Sequence, residues 1–300
     1  MKKKINLLTK IALIALSLAV TSAPSSAQNL LESQSASGVQ KTNSRILYHD
    51  GPVRTGVQNV YFIYYGCWTS ECGSLNDTAA MQILSEFTAT VGNTPYMTIN
   101  STYSDFTGHA ASPSLVYAGL VVDRTYAHGN DLTTADVVAI ISDAILGFAL
   151  PQDPQGIYVV VASADIASNE TGFCIPGAKP FHSSATVNGG ILPYVFLGNP
   201  DRCRTVAGSN FGLVTPNGSF SGDAMVGNFA HAINGLLTNP NGTGWYDRYG
   251  LEDADKCTST FGETYTTVNG ARANIRLGQR DFLLEQNWVN ARKGYCAMFP

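Results

Sequence analysis

The segment from Ser221 to Cys257 sets the strongest constraint on how this 300-residue chain can fold. Its first half predicts an amphipathic helix, because apolar side chains recur at a spacing of about 3.6 residues. The opposite arc is polar but carries no charge, and it holds His231 among glycines and asparagines. A face of this kind indicates that something approaches the helix closely, and we expect the helix to end at Asn239, just before a proline. The apolar arc consists of Met225, Val226, Phe229, Ala230, Ile233, Leu236 and Leu237.

An acidic run follows the predicted helix after a glycine-rich turn. A histidine on a helix with carboxylates a short loop later is an arrangement that metal sites use. His231, Glu252 and Asp255 are therefore candidate ligands, with His182 as a fourth and zinc as the metal. His128 follows a predicted interior strand and is a further candidate at the same place.

Each of these residues also has a structural interpretation. For His231 we favour a hydrogen bond to a backbone carbonyl or to Asp255 across a packed interface over metal binding. The acidic run, which includes Asp253, is also typical of a solvated loop, and with Asp247 it offers some of the oxygens that calcium requires. For His128 and His182, polar loop residues are the default interpretation.

The composition excludes some classes of partner. Only 13% of the residues are charged, and the net charge is −4 with a pI near 5.7. Nucleic-acid binding requires a basic patch, so we expect no nucleic-acid partner. A surface so poor in charge must be made of serine, threonine, asparagine and glycine, which are common in secreted proteins.

The N-terminal region has the pattern of a secretory signal. Three lysines precede a short apolar run and a group of small residues, which predicts a signal peptide over 1–27, with an uncleaved anchor as the alternative. Residues 28–45 are poor in apolar side chains and predict a disordered linker, so the folded domain is expected to span 46–300. We expect no membrane association once the signal has been removed.

The six cysteines support export. An even number behind a signal sequence predicts three disulfides, although six cysteines allow 15 connectivities. Sequence proximity favours Cys67–Cys72, Cys174–Cys203 and Cys257–Cys296.

Strands and helices alternate in the first half, which predicts crossover connections and a mostly parallel central sheet. We predict an α/β fold with a single layered domain and a loop-rich, disulfide-stapled C-terminal half; α+β is the alternative. We further expect an edge strand over Tyr96–Tyr103, a long loop over Ser168–Ser184 and a hairpin at Asn269-Gly270. Interior strands are predicted over Val57–Tyr65, Leu115–Val122, Ile157–Ala162 and Ile191–Leu197.

Several short motifs occur in a collinear order that resembles the plant EXORDIUM / phosphate-induced protein 1 family. They cover nearly everything after about residue 46. The resemblance implies an extracellular or cell-wall-associated protein, linked in plants to growth and cell expansion, with no assigned biochemical activity. The motifs are YHDGPV (48–53), NVYFIYYG (59–66), TYAHG (125–129), GIYVVVAS (156–163), LPYVFLGN (192–199), LTNP (237–240), GWY (244–246) and E-x-A-D-x-C (252–257).

The chain departs from this family at one important place. The resemblance implies the pattern His-Glu-x-x-Glu on the central helix, where this chain has His231, Ala232 and Gly235. An alanine cannot accept a proton from a metal-bound water, and a glycine has no side chain to bind the metal. The sequence thus keeps the outline of a zincin-like central helix without its two functional carboxylates.

Three functional hypotheses follow. The first is a non-catalytic extracellular binding or signalling protein, with another extracellular protein as a partner, on a degenerate metallohydrolase-like scaffold. The second is a zinc-dependent hydrolase that uses His231, Glu252, Asp255 and His182. The third is binding of cell-wall polysaccharide through the loop aromatics Trp68, Trp245 and Tyr246, with His128 as a further binding candidate.

Overall fold

A five-stranded mixed sheet forms the centre of the computed structural model, which describes residues 44–75, 77–207, 210–212, 214–291 and 293–300. The first six strands are β1 (Ile46–Tyr48), β2 (Gln58–Tyr65), β3 (Leu115–Asp123), β4 (Gly156–Ala162), β5 (Phe181–Val187) and β6 (Gly190–Leu197). The order in the central sheet is β3-β2-β4-β6-β5, in which only β5 runs antiparallel to its neighbour. The prediction of a mostly parallel central sheet is therefore confirmed, with an antiparallel strand at one edge.

Helices cover both faces of this sheet. In chain order they are α1 (Thr78–Val91), α2 (Pro95–Thr98), α3 (Thr134–Leu146), α4 (Arg204–Ala207) and α5 (Phe220–Thr238). Side chains of α1 and α5, such as Phe87 and Phe229, pack with one face of the sheet, whereas α3 packs on the other through Ile140 and Ile141. The middle strand β4 is buried over its whole length because it is covered on both faces.

The C-terminal part consists of short two-stranded ribbons rather than a second large sheet. β1 pairs with β7 (Trp245–Asp247), and the remaining pairs join consecutive strands along the chain. The remaining strands are β8 (Tyr265–Thr266), β9 (Arg272–Ala273), β10 (Ile275–Leu277), β11 (Arg280–Phe282), β12 (Asn287–Val289) and β13 (Tyr295–Ala297). The predicted turn at Asn269-Gly270 does connect two paired strands, β8 and β9.

The helix boundaries follow from capping. The Ser219 side chain accepts a hydrogen bond from the backbone N–H of Gly222 at the start of α5, and the helix ends before Asn239, as the following proline predicts. At the start of α3, Thr133 and Asp136 form a reciprocal capping box.

Three local predictions were wrong. The segment predicted as a strand over Tyr96–Tyr103 is helical as far as Thr102, because Thr94 caps a turn that has Pro95 in its first position. β3 lies at an edge of the sheet rather than in its interior. The predicted loop over Ser168–Ser184 contains the start of β5, whose polar sequence gives no alternating apolar signal.

The three disulfides that sequence proximity favours are present in the structure. They are Cys67–Cys72, Cys174–Cys203 and Cys257–Cys296. The last of them connects the segment that follows α5 to β13, so the ribbons between them form a closed loop against the helix.

All described residues belong to one compact unit, Asn43–Pro300. The predicted signal peptide at 1–27 and the predicted linker at 28–45 lie outside the described residues, except for Ser44 and Arg45. Within the part that is described, no helix has the length and apolar character needed to cross a membrane.

Phe148, just after α3, provides a test of backbone strain. It has a φ of 56° and its side chain is 95% exposed, so an aromatic residue adopts the left-handed conformation with little packing in return. We expect Phe148→Gly to increase the free energy of unfolding by about 1 kcal/mol in denaturant titrations. Asn188→Gly is the matched control: its φ is 47°, and because asparagine tolerates this region the gain should be smaller. A lower free energy of unfolding in Phe148→Gly would contradict this expectation, because it would show that packing of the ring stabilises the protein by more than the left-handed backbone destabilises it.

Candidate functional site

The polar face of α5 meets the acidic run at His231. Its Nδ1 lies 3.1 Å from Glu285 Oε2 and its Nε2 lies 3.0 Å from Asp255 Oδ1. Ionised carboxylates only accept hydrogen bonds, so both ring nitrogens donate and the side chain is an imidazolium. Burial alone would lower the pKa of His231, but hydrogen bonds to Asp255 and Glu285 and their negative charges raise it to about 9.

Both carboxylates beside His231 have further donors. Asp255 Oδ2 accepts from Lys179 Nζ and, at 2.9 Å, from the backbone N–H of Glu252. Glu285 Oε1 accepts from the backbone N–H of Ser259 at 2.6 Å. Burial would raise the pKa of Asp255, but the hydrogen bond and charge of His231, together with Lys179, keep it below its ordinary value.

A second histidine–carboxylate pair lies one turn further along α5. His182 Nε2 on β5 is 2.7 Å from Glu252 Oε2, and Glu252 Oε1 accepts from Asn239 Nδ2 at 2.6 Å. Burial would lower the pKa of His182, but the charge and hydrogen bond of Glu252 raise it above its ordinary value. His182 Nδ1 is buried and has no hydrogen-bond partner among the described residues.

Gly235 makes room for this second pair. A Cβ atom at Gly235 would lie 2.4 Å from Glu252 Oε2 and 2.7 Å from His182 Nε2, closer than van der Waals contact allows. The close approach that the sequence predicts at the helix glycines therefore occurs at Gly235. It does not occur at Gly227, where a Cβ would face open space.

Ala232 does not face this cluster. It is fully buried among the apolar side chains that join α5 to the sheet. A glutamate at this position would have to project into the apolar core, where an unpaired carboxylate is very unfavourable. The helical position at which the sequence resemblance implies a carboxylate is thus occupied by a packing residue.

The other residues of the acidic run are also paired. Asp253 is fully buried and accepts from Asn287 Nδ2 at 3.3 Å. Burial, and next the charge of Glu252, raise the pKa of Asp253 to about 7. Lys256 Nζ lies 3.0 Å from Asp247 Oδ2, with both side chains completely buried. The interpretation of this run as a solvated loop is therefore wrong, because its charges face the interior.

The four residues predicted to bind a metal form two ion pairs in this structure. His231 faces Asp255 and His182 faces Glu252, so each candidate donor is hydrogen-bonded to another candidate. Across the described ranges, no group of three or more His, Cys, Asp or Glu side chains is arranged to hold a metal ion. Since neither ring nitrogen of His231 presents a free lone pair, the residues as they stand do not fit zinc.

The arrangement can nevertheless fix elements to one another. His231 joins α5 to the acidic run and to the C-terminal ribbons, and Glu252 joins that run to β5 and to the end of α5. We call the six residues His182, His231, Glu252, Asp255, Glu285 and Lys179 the charge cluster.

The remaining predicted site residues lie elsewhere. His128 Nε2 is 2.8 Å from Asp143 on α3, which packs on the opposite face of the sheet from α5, so His128 does not join the cluster. Trp68 is fully buried and donates from Nε1 to the carbonyl of Tyr65, which corrects its interpretation as a loop aromatic open to sugars.

Trp245 and Tyr246 both lie on β7, but they face different surroundings. Trp245 packs against Tyr48 and Tyr103, and its Nε1 donates to the carbonyl of Ser104. Tyr246 is half-buried, with its ring stacked 3.6 Å from that of His49. Both residues are half-buried, and one ring face of Tyr246 is already occupied by His49.

Sequence reasoning missed Glu285 and Lys179, which complete the charge cluster. The available signal was the predicted disulfide Cys257–Cys296, which returns the last segment of the chain to the acidic run. In a chain with few charges, a carboxylate inside that closed loop was a reasonable partner for His231. For Lys179 the comparable signal was its place three residues before His182, inside the loop closed by Cys174–Cys203.

The fold and the cluster together define a layered α/β protein that has a neutralised histidine–carboxylate network on its central helix. The model of the phosphate-induced protein 1 conserved region matches residues 46–281, so the chain belongs to this family. The zincin-like character of α5 stays a prediction, since no solved structure gives a significant match.

Curated plant proteins are similar to most of the chain. Protein EXORDIUM-like 3 of Arabidopsis thaliana is 27% identical, over 84% of this chain and 82% of its own length. Protein EXORDIUM-like 5 of the same plant is 28% identical over 66% of this chain and 59% of its own length. Protein PHOSPHATE-INDUCED 1 of Nicotiana tabacum is 26% identical over 74% of this chain and 75% of its own length.

Two glycines on the same helix give a matched test of the close approach. Gly235→Ala forces Glu252 and His182 apart, so we expect it to lower the free energy of unfolding by about 1–3 kcal/mol. Gly227→Ala meets open space and should instead raise it by about 0.5–1 kcal/mol, because alanine favours the helix. Thermal or denaturant unfolding measures both. Equal effects of the two variants would contradict the packing at Gly235.

The charge cluster also predicts how stability depends on pH. The pKa of His231 is about 9, above its ordinary 6.5, so the folded protein binds this proton more tightly than the unfolded chain. Its contribution is complete below about pH 6.5 and is lost as the pH rises through about 9, an effect of about 3 kcal/mol. The pKa of Asp253 is raised to about 7, so its contribution to the free energy of unfolding also decreases as the pH rises, but at lower pH than that of His231.

We therefore expect the unfolding temperature to fall from mildly acidic to alkaline pH. The His231→Gln variant should have a lower unfolding temperature at every pH, and its unfolding temperature should change less between about pH 6.5 and 9. A wild-type curve that rises across this window would contradict the imidazolium assignment.

Proposed function

We propose that this protein is a secreted, non-catalytic binding or signalling protein, extracellular or associated with a cell wall, on a scaffold that resembles a degenerate metallohydrolase. Membership of the phosphate-induced protein 1 family, three disulfides and a sequence pattern typical of a signal peptide support the extracellular part. The geometry around His231 supports the non-catalytic part.

The observation that carries the proposal is the double hydrogen bond of the His231 ring. A metal ligand or a general base must offer a lone pair on nitrogen, and an imidazolium between Asp255 and Glu285 offers none. With a pKa near 9, it also stays protonated at neutral pH, where a base would have to be free.

The two helix positions at which the resemblance implies a carboxylate, Ala232 and Gly235, also support the proposal. Ala232 points into apolar packing, so no general base stands next to His231 on the helix. At Gly235 the space is filled by Glu252 and His182, which neutralise each other. The site thus contains internal ion pairs where a metallohydrolase would have reactive groups.

The competing hypothesis is a zinc-dependent hydrolase that uses His231, Glu252, Asp255 and His182. It requires His231 to lose a proton and leave its two carboxylates, and Lys179 to release Asp255. Metal binding of this kind would release protons and disrupt interactions that stabilise the fold. The two hypotheses therefore differ in a measurable metal content.

Metal quantification separates them. The protein is stripped with a chelator, incubated with excess zinc, passed through gel filtration and analysed for zinc, alongside His231→Gln. The matched control is His109→Gln, because His109 is a largely exposed histidine outside the cluster. We expect no stoichiometric zinc in any of the three proteins, and no hydrolysis of peptide or ester substrates at acidic, neutral or alkaline pH.

One zinc per chain in the wild type and in His109→Gln, but not in His231→Gln, would overturn the proposal. So would a hydrolytic activity that His231→Gln abolishes while the variant remains folded by circular dichroism.

A further inference from the structure

The hairpins that follow the charge cluster line an open surface cavity of about 460 Å³. Strands β8 and β10–β11 form its walls, and it opens to solvent on one side. This volume lies in the range of small-molecule binding sites. The residues that give the cavity its chemical character are Tyr265, Val268, Asn274, Arg276 and Asp281.

Tyr265 presents an aromatic ring to this cavity in a fixed position. Its hydroxyl donates to Asp281 Oδ1 at 2.8 Å, while 42% of the residue remains exposed. Arg276 Nη1 lies 3.7 Å from the other oxygen of Asp281. The ring is thus held at its polar end and free along its apolar body, which keeps the entropy cost of binding low.

The base of the cavity is rigid. The Asn274 side chain donates to the carbonyls of Phe261 and Leu284, and its oxygen accepts from the backbone N–H of Leu284. Val268, at the tip of the adjacent turn, is fully exposed at the rim of the cavity. A preformed concave surface of this kind needs little rearrangement to accept a ligand.

The chemistry of the lining selects the ligand class. An exposed aromatic ring matches the apolar C–H face of a pyranose, and the carboxylate and guanidinium match its hydroxyl groups. Asp281 and Arg276 cancel each other in charge, which disfavours strongly anionic or cationic ligands. The open side suits one unit of a longer chain better than an isolated small molecule. We propose that this cavity is a subsite for a neutral pyranose unit of an oligosaccharide or polysaccharide.

This inference rests on the proposed function, because it names a ligand class for a non-catalytic binding protein. It also moves polysaccharide binding away from the residues that the sequence indicated. Trp68 is buried, Trp245 packs against two tyrosines, and one ring face of Tyr246 is covered by His49. Tyr246 is therefore the alternative location that the experiment must address.

Affinity electrophoresis and calorimetry with neutral soluble glucans, xylans and mannans test the proposal, with polygalacturonate as the anionic comparison. High-mannose glycoprotein glycan forms a separate arm that distinguishes protein-linked sugar from wall polysaccharide. We expect binding to at least one neutral glycan, weakened about tenfold or more by Tyr265→Ala. Tyr265→Phe, which keeps the ring, should retain most of the affinity, and Asp281→Asn should reduce it.

Tyr295→Ala is the matched control, because Tyr295 is a similarly exposed tyrosine on β13, outside the cavity. It should bind as the wild type does, and unfolding curves of all variants verify that they fold. The proposal is overturned if the wild type binds no neutral glycan, if binding survives Tyr265→Ala, or if Tyr246→Ala removes binding and Tyr265→Ala does not. None of these outcomes affects the zinc experiment, so the two proposals can fail independently.

Discussion

The contact on which the polar interior depends is the imidazolium of His231 between Asp255 and Glu285. Each partner belongs to a different segment: the helix α5, the acidic run and the stretch before β12. Removing the ring would leave two carboxylates close together in a site that water scarcely reaches. This is strongly destabilising, because the buried negative charges would have lost their compensating partner. A chain with 13% charged residues has concentrated several of its charges here, where they reinforce the apolar packing of Phe282 and Leu284 in the same cluster as α5.

Much of the layered framework was predictable from the sequence, because its signals are local. Continuous apolar runs predict β2, β4 and β6. The family motifs and the pairing of cysteines by proximity can also be read from residues that are near one another in the sequence. β5 was missed because an antiparallel strand of polar residues at an edge is specified by its neighbour β6 rather than by its own pattern. The segment after Thr94 was missed because its alternating residues resemble a strand, while the cap and Pro95 favour a helix.

The site was predictable only in part, for a related reason. The interpretation of His231 as hydrogen-bonded to Asp255 agrees with the observed 3.0 Å contact. Its second partner, Glu285, is 54 residues away along the chain, and Lys179 approaches from before β5. Periodicity and spacing contain no information about such long-range contacts. The acidic run illustrates the same limit: four charged residues in five positions suggest solvent, yet each has a partner inside the protein.

The filled space beside Gly235 makes this position intolerant of any side chain. A carboxylate placed there would collide with Glu252 Oε2 and His182 Nε2, and it would bring a second negative charge next to Glu252. A single substitution at residue 235 therefore cannot supply the helical carboxylate that the resemblance implies without separating His182 from Glu252. Installing such a carboxylate would require coordinated changes on α5, on β5 and in the acidic run, because substitutions at residues in contact do not act independently.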